Sequence, residues 1–125
     1  MVLSMEHLAW ESVPLEIMSD MLSRKIITGE KAMLAQVFLK KDAVVPVHQH
    51  ESEQVSYVLD GALKFELEGQ TVVVRKGEVL CIPSHVPHRV VALEDSVGLD
   101  IFSPIRKDWL AKDDAYLRRG EQEKT

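Results

Sequence analysis

The feature that most constrains this chain is its punctuation. Between residues 21 and 104, short runs rich in apolar and β-branched side chains are cut by turn dipeptides at near-regular spacing. Residues 21–28 stop at Gly29-Glu30, and residues 31–39 stop at Lys40-Lys41-Asp42. Residues 54–59 end at Asp60-Gly61, and residues 62–67 end at Glu68-Gly69. Both of these are hairpin signals, because glycine takes positive φ without a steric cost. Residues 71–75 reach Lys76-Gly77, residues 78–82 reach Pro83, residues 88–91 form a short run, and residues 97–103 form the last. No helix-length segment separates these runs. The spacing therefore predicts an all-β antiparallel sandwich or barrel rather than a parallel sheet with crossover helices.

At 125 residues, the chain is expected to form one domain with an ordinary core. Residues 1–20 are weakly patterned and read as an N-terminal extension, with Trp10 and Val13 packing on the barrel or on a partner subunit. The barrel is assigned to residues 21–106 and a C-terminal helical tail to 107–125. Within the tail, Trp109, Leu110 and Leu117 follow a helix-compatible pattern over 107–119, with Gly120 as the stop. A formal net charge of −5, with acidic residues interspersed, argues against a nucleic-acid-binding face. No apolar run approaches the ~18 residues of a membrane span. The start, MVLSMEHLAWESVP, lacks the basic region of a signal peptide. The single cysteine, Cys81, stands in the apolar run EVLCIP and reads as a buried reduced thiol, so a cytoplasmic location is expected.

Within this scaffold, VPVHQHESEQVSYVLDG (45–61) carries chemistry. Strand alternation puts His48 and His50 on one face, where both imidazoles can reach one ion. If the phase continues through residues 51–53, Gln54 and Ser56 point inward as well. A further ligand has to come from elsewhere, and the segment GEVLCIPSHVPHRV offers His85 and His88. His88 follows Pro87 and opens an apolar run, which suits a fixed interior ligand. A His-x-His pair also occurs without metal, and His7 is incidental.

These residues resemble the two motifs of the cupin family. The run His48-x-His50-x3-Gln54-x6-Gly61 is similar to the first motif, G-x5-H-x-H-x3,4-E-x6-G, with Gln54 in the Glu place and Asp42 in the place of the opening Gly. The run Gly77-x5-Pro83-x-His85-x2-His88 is similar to the second, G-x5-P-x-G-x2-H-x3-N, with His85 for the second Gly and Ala92 for the Asn. The resemblance covers roughly residues 21–104. It implies a single-domain cupin jelly-roll barrel with a metal held by His48, His50, Gln54 and His88.

Three imidazoles and an amide would leave a divalent ion uncompensated by the protein. Such an ion is a stronger Lewis acid and attracts anionic or oxygen-rich ligands. The other reading leaves Gln54 in a core hydrogen bond, with three ligands plus water. The sequence leaves the ion open among nickel, zinc, iron and manganese.

The last strand, SVGLDIFSPIR (96–106), carries Asp100 on the same face as Phe102. A carboxylate inside an apolar strand is costly unless it is bonded, paired or kept for chemistry. Facing the barrel interior it could move a proton; on an edge it would be solvated. The run Leu99-Asp100-Ile101-Phe102-Ser103-Pro104-x-Arg106-x-Asp108-Trp109-Leu110, together with His-x-His-x3-Gln, resembles the pectin-degradation cupins. That resemblance implies conversion of cyclic 4,5-unsaturated monouronates to open-chain 5-keto-4-deoxyuronate. Asp100 would transfer the proton, Phe102 would shape the pocket and Arg106 would pair with the uronate carboxylate. For Arg106 the plain alternative is a surface arginine in a proline-bounded loop. Arg24 and Tyr57 also fall within reach of the cavity if their strand phase permits.

Two competing functions remain at this level: another small metal-dependent cupin, such as a dioxygenase or lyase, or a sugar-binding or sensing cupin without turnover. The expected partners are a small sugar acid and a second copy of the chain in a homodimer, with neither nucleic acid nor membrane.

Overall fold

The computed structural model describes residues 5–118. Ten strands form two antiparallel sheets: β1 (Glu16–Ile17), β2 (Leu22–Thr28), β3 (Met33–Leu39), β4 (Val44–His48), β5 (Glu53–Asp60), β6 (Ala62–Leu67), β7 (Gln70–Arg75), β8 (Val79–Ile82), β9 (His88–Ala92) and β10 (Ser96–Ser103). One sheet has the order β1-β2-β3-β10-β5-β8 and the other β4-β9-β6-β7. The strands expected from the turn spacing appear with limits within two residues, and the fold is the jelly roll that the resemblance implies.

Period-two alternation explains the packing. Along β3, Met33, Ala35, Val37 and Leu39 are buried while the residues between them are not. They meet Leu63, Phe65 and Val90 of the opposite sheet in one core. The turn at Asp60-Gly61 tolerates only glycine. Gly61 has φ +86°, and an added Cβ would lie 2.3 Å from Ser96 Oγ and 2.5 Å from the Asp95 carbonyl oxygen.

Three expectations are corrected. Cys81 is exposed, not buried. It lies on the edge strand β8, paired with Val55, while its neighbour Ile82 takes the inward position. The tail is not one helix over 107–119. It forms α1 (Lys107–Leu110) and, after a turn, a 3-10 segment at Ala115–Leu117. Lys112 adopts φ +59°, which ends the helix, and Asp114 is drawn inward to Arg24. Trp109 and Leu117 are buried, but Leu110 faces solvent. Arg119 and Gly120 lie outside the described residues. Third, the six-stranded sheet begins before Met21, because Glu16 pairs with Arg24 as part of β1. Trp10 is half-buried, and its carbonyl oxygen accepts a hydrogen bond from Lys25 Nζ at 2.9 Å. No helix among the described residues is long and apolar enough to cross a membrane.

Candidate metal centre

Strand pairing brings the two distant motifs together. His48 ends β4 opposite His88, which starts β9. His50 follows in the bend leading to β5, where Gln54 pairs with Phe102 and Ser56 with Asp100 of β10. The bend restores the inward phase, so Gln54 and Ser56 are both buried.

One ring nitrogen from each of His48, His50 and His88 falls within 4.8 Å of the others. The ring orientation is fixed from behind. Each Nδ1 lies 2.8 Å from a backbone carbonyl oxygen, of Pro46, Ser52 and Val86 respectively. A carbonyl only accepts, so Nδ1 carries the proton and Nε2 presents a lone pair to the interior. This is the second-layer arrangement found behind metal-binding histidines. His88 Nε2 is buried with no partner. Burial, followed by the neighbouring His88 ring, pushes the His48 pKa down to about 3. Burial and then the Arg106 guanidinium push His50 down to about 4. Burial lowers His88 too. All three rings are therefore neutral at pH 7, the form that binds metal.

Gln54 lies beside the three rings. Its Oε1 lies 3.0 Å from His50 Nε2, although neither atom carries a hydrogen when His50 is protonated on Nδ1. Two lone pairs facing each other repel unless a cation lies between them. Ligand atoms about 2.1 Å from a common ion and at right angles are themselves about 3 Å apart. The donor set therefore fits a divalent metal, and an amide oxygen fits as its fourth protein ligand. His85 is exposed and lies outside the cluster.

Asp100 faces an interior cavity of about 50 Å³ that His48, Gln54, His88 and Arg24 also line. Its Oδ1 accepts a hydrogen bond from Ser56 at 2.7 Å. Burial raises its pKa to about 6, against the lowering effects of that bond and of Arg106. Phe102 is buried with its ring edge-on to His50 at 5.7 Å.

Arg106 is not a surface residue; it is 3% exposed. Its Nε and Nη2 donate to Asp108 at 3.0 and 2.8 Å, and Nη2 also donates to the Tyr116 hydroxyl at 2.9 Å. Nη1 has no partner. Arg106, His50, Ser52 and Asp108 border an open cleft of about 340 Å³ on the outside of the site.

Of the two uncertain positions, Arg24 points inward and Tyr57 points out, 40% exposed. Arg24 donates to Glu16 at 2.7 Å and to Asp114 at 2.5 Å, and its Nη1 is likewise unpartnered. The guanidinium carbons of Arg24 and Arg106 lie 4.4 and 4.8 Å from the Trp109 ring. Sequence reasoning missed Tyr116. Its ring stacks on His48 at 4.9 Å, and its hydroxyl also accepts from Trp109 Nε1. Nothing in the local pattern of the tail signals that contact.

Three histidines from two distant segments, closing on one point inside a jelly roll, define a class, and the chain belongs to the cupin family. The Cupin domain family matches residues 35–102. Among individual relatives, the chain is 34% identical over 103 residues to the pectin degradation protein KdgF of Dickeya dadantii, spanning 80% of this chain and 94% of that protein. The solved structure of KdgF from Halomonas sp. is 33% identical, with a TM-score of 0.79 over 85% of this chain and 99% of that one. An RmlC-like cupin from Shewanella frigidimarina, 29% identical, also superposes with a TM-score of 0.79, covering 85% and 96%.

Proposed function

We propose that this protein is a metal-dependent isomerase of pectin or alginate breakdown. It would convert cyclic 4,5-unsaturated monouronates to open-chain 5-keto-4-deoxyuronate. The observation that carries this reading is the neutral donor set. Gln54 stands where a carboxylate would blunt the ion's charge, in a chain similar to KdgF proteins. Nickel, zinc, iron and manganese all suit such ligands. When bound, the ion supplies Lewis acidity toward substrate oxygens.

The protein's own groups do the rest. Arg106, already fixed by Asp108 and Tyr116, keeps Nη1 for the uronate carboxylate. Phe102 walls the site beneath His50 and limits how the ring can lie. Opening the hemiacetal removes a proton from the anomeric hydroxyl, breaks the bond from the anomeric carbon to the ring oxygen and protonates that oxygen. The resulting enol then gains a proton at the adjacent carbon and gives up its hydroxyl proton to become the ketone. Asp100, with a pKa near 6 and Oδ1 tied to Ser56, is suited to accept and return these protons.

Metal-loaded protein should accelerate the loss of 4,5-double-bond absorbance in freshly released monouronate, and chelator-stripped protein should not. A rate equal to the spontaneous one, with metal bound, ends the catalytic reading and leaves a sugar-binding cupin.

We also infer a homodimer. The outer face of the six-stranded sheet carries Leu34, Ile101 and Val55 in one register row, and Leu99, Tyr57 and Val79 in the next. This is a continuous apolar surface that a second copy would cover. Sedimentation should then report twice the 14.1 kDa chain mass. The functional unit is taken as the barrel of residues 21–106, which β1 of the flanking segment 1–20 extends by one short strand, with the tail 107–125. Its compartment is taken as the cytoplasm, consistent with the free Cys81 thiol.

A further inference from the structure

We propose that Ser56 is a positioning residue that fixes which end of the Gln54 amide faces the metal. The inference rests on the metal reading above and concerns a side chain that is not itself a ligand.

The argument follows the hydrogens. Ionised, Asp100 Oδ1 only accepts, and it still accepts when the carboxyl carries its proton on Oδ2. The single hydroxyl proton of Ser56 is committed to that oxygen at 2.7 Å. Ser56 Oγ then has only lone pairs left to offer. Gln54 lies 2.8 Å away on the same strand face, and of its two amide ends only Nε2–H can meet a lone pair. The amide is thereby turned so that Oε1 faces His50 Nε2. A flipped amide would set Oε1 against the Ser56 lone pairs and aim N–H groups, which cannot bind a cation, at the site.

The relay is rigid. Ser56 and Gln54 are 2% and 5% exposed, so water does not compete for these bonds. Their register partners Asp100 and Phe102 are held on β10, and Ile82 of β8 flanks Gln54 on the other side. A glutamate at position 54 would need no such device, because its two oxygens are equivalent. The neutral ligand is what makes an orienting hydroxyl necessary.

The experiment is a double-mutant cycle read as affinity for Zn²⁺ or Ni²⁺ alone, by competition with a chelator. Thermal unfolding is followed in parallel to confirm folded protein. Ser56→Ala should weaken metal binding roughly 10- to 100-fold, as losses behind the ligand layer do. Ser56→Thr, which keeps the hydroxyl, should restore it. In the Gln54→Glu background, Ser56→Ala should change affinity only a few-fold. An affinity for Ser56→Ala close to wild type, or an equal loss in both backgrounds, overturns the relay. Should the wild-type protein bind neither ion, the metal reading itself fails and the relay falls with it. That outcome is distinct from tight wild-type binding that is insensitive to Ser56.

Discussion

The barrel interior has two halves that differ in kind, and they meet across one step of strand register. In the first, Val37, Gly98 and Val58 form a row across β3, β10 and β5, facing Leu63 and Ala92. Its buried polar residue, Ser96, is satisfied by the Ala62 backbone. Two residues along, the row becomes Ala35, Asp100 and Ser56, followed by Met33, Phe102 and Gln54. This second half faces His48 and His88 and holds the three unpartnered buried atoms found among the described residues: Arg24 Nη1, His88 Nε2 and Arg106 Nη1. Buried polar groups without partners are costly, and native structures keep them where chemistry needs them. The apolar half is filled by packing, and the polar half keeps hydrogen-bonding atoms without protein partners.

The largest expected effects test this division directly. His88→Ala should abolish measurable metal binding while lowering the stability of the metal-free protein less than a core truncation does, since it also removes an orphaned nitrogen. Leu63→Ala, in the apolar half, should cost ~2–5 kcal/mol in denaturant unfolding and leave metal affinity within a few-fold. If the stability losses are reversed, the two halves are not distinct. Next in size, Asp100→Asn should slow turnover by about 10²–10⁴-fold with substrate affinity largely kept. Wild-type rate should fall as pH drops through about 6, and the variant's residual rate should lack that limb. A loss confined to substrate affinity would point to a binding role instead.

The smallest effect sharpens the comparison through pH. His48, His50 and His88 titrate lower in the fold than the 6.5 of a free imidazole. Below pH 6.5 the unfolded chain therefore takes up protons that the native state refuses. Their stabilising contribution is complete above about pH 6.5 and drains as pH falls toward 4 and 3. Asp100, raised from 3.8 to about 6, acts oppositely and regains part of the loss between pH 6 and 4. Metal-free protein should thus melt at progressively lower temperature below pH 6.5, and bound metal should shift that decline to more acid pH. A flat melting temperature from pH 7 to 4.5 would remove the histidines from this account.

Much of this was legible in the chain. Hairpin glycines and period-two alternation are local rules, so the strand limits and the shared face of His48 and His50, and of Asp100 and Phe102, followed from them. Whether Gln54 and Asp100 face inward was left to the folded chain. Other features depended on contacts between residues far apart. Cys81 looked buried because its run is apolar, yet an edge strand covers only one of its faces. The tail read as a continuous helix because the pull of Asp114 toward Arg24, ninety positions away, leaves no local trace. Tyr116 on His48 was invisible for the same reason.

What the sequence alone determined is an antiparallel sandwich or barrel and the side chains able to hold a metal, because turn chemistry, alternation and donor type act over a few residues. The tertiary structure alone decided which way those donors point. Carbonyls of Pro46, Ser52 and Val86 set the imidazoles, and a hydroxyl between β5 and β10 sets the amide. Orientation of that kind comes from hydrogen-bond partners that only the closed barrel brings within 3 Å.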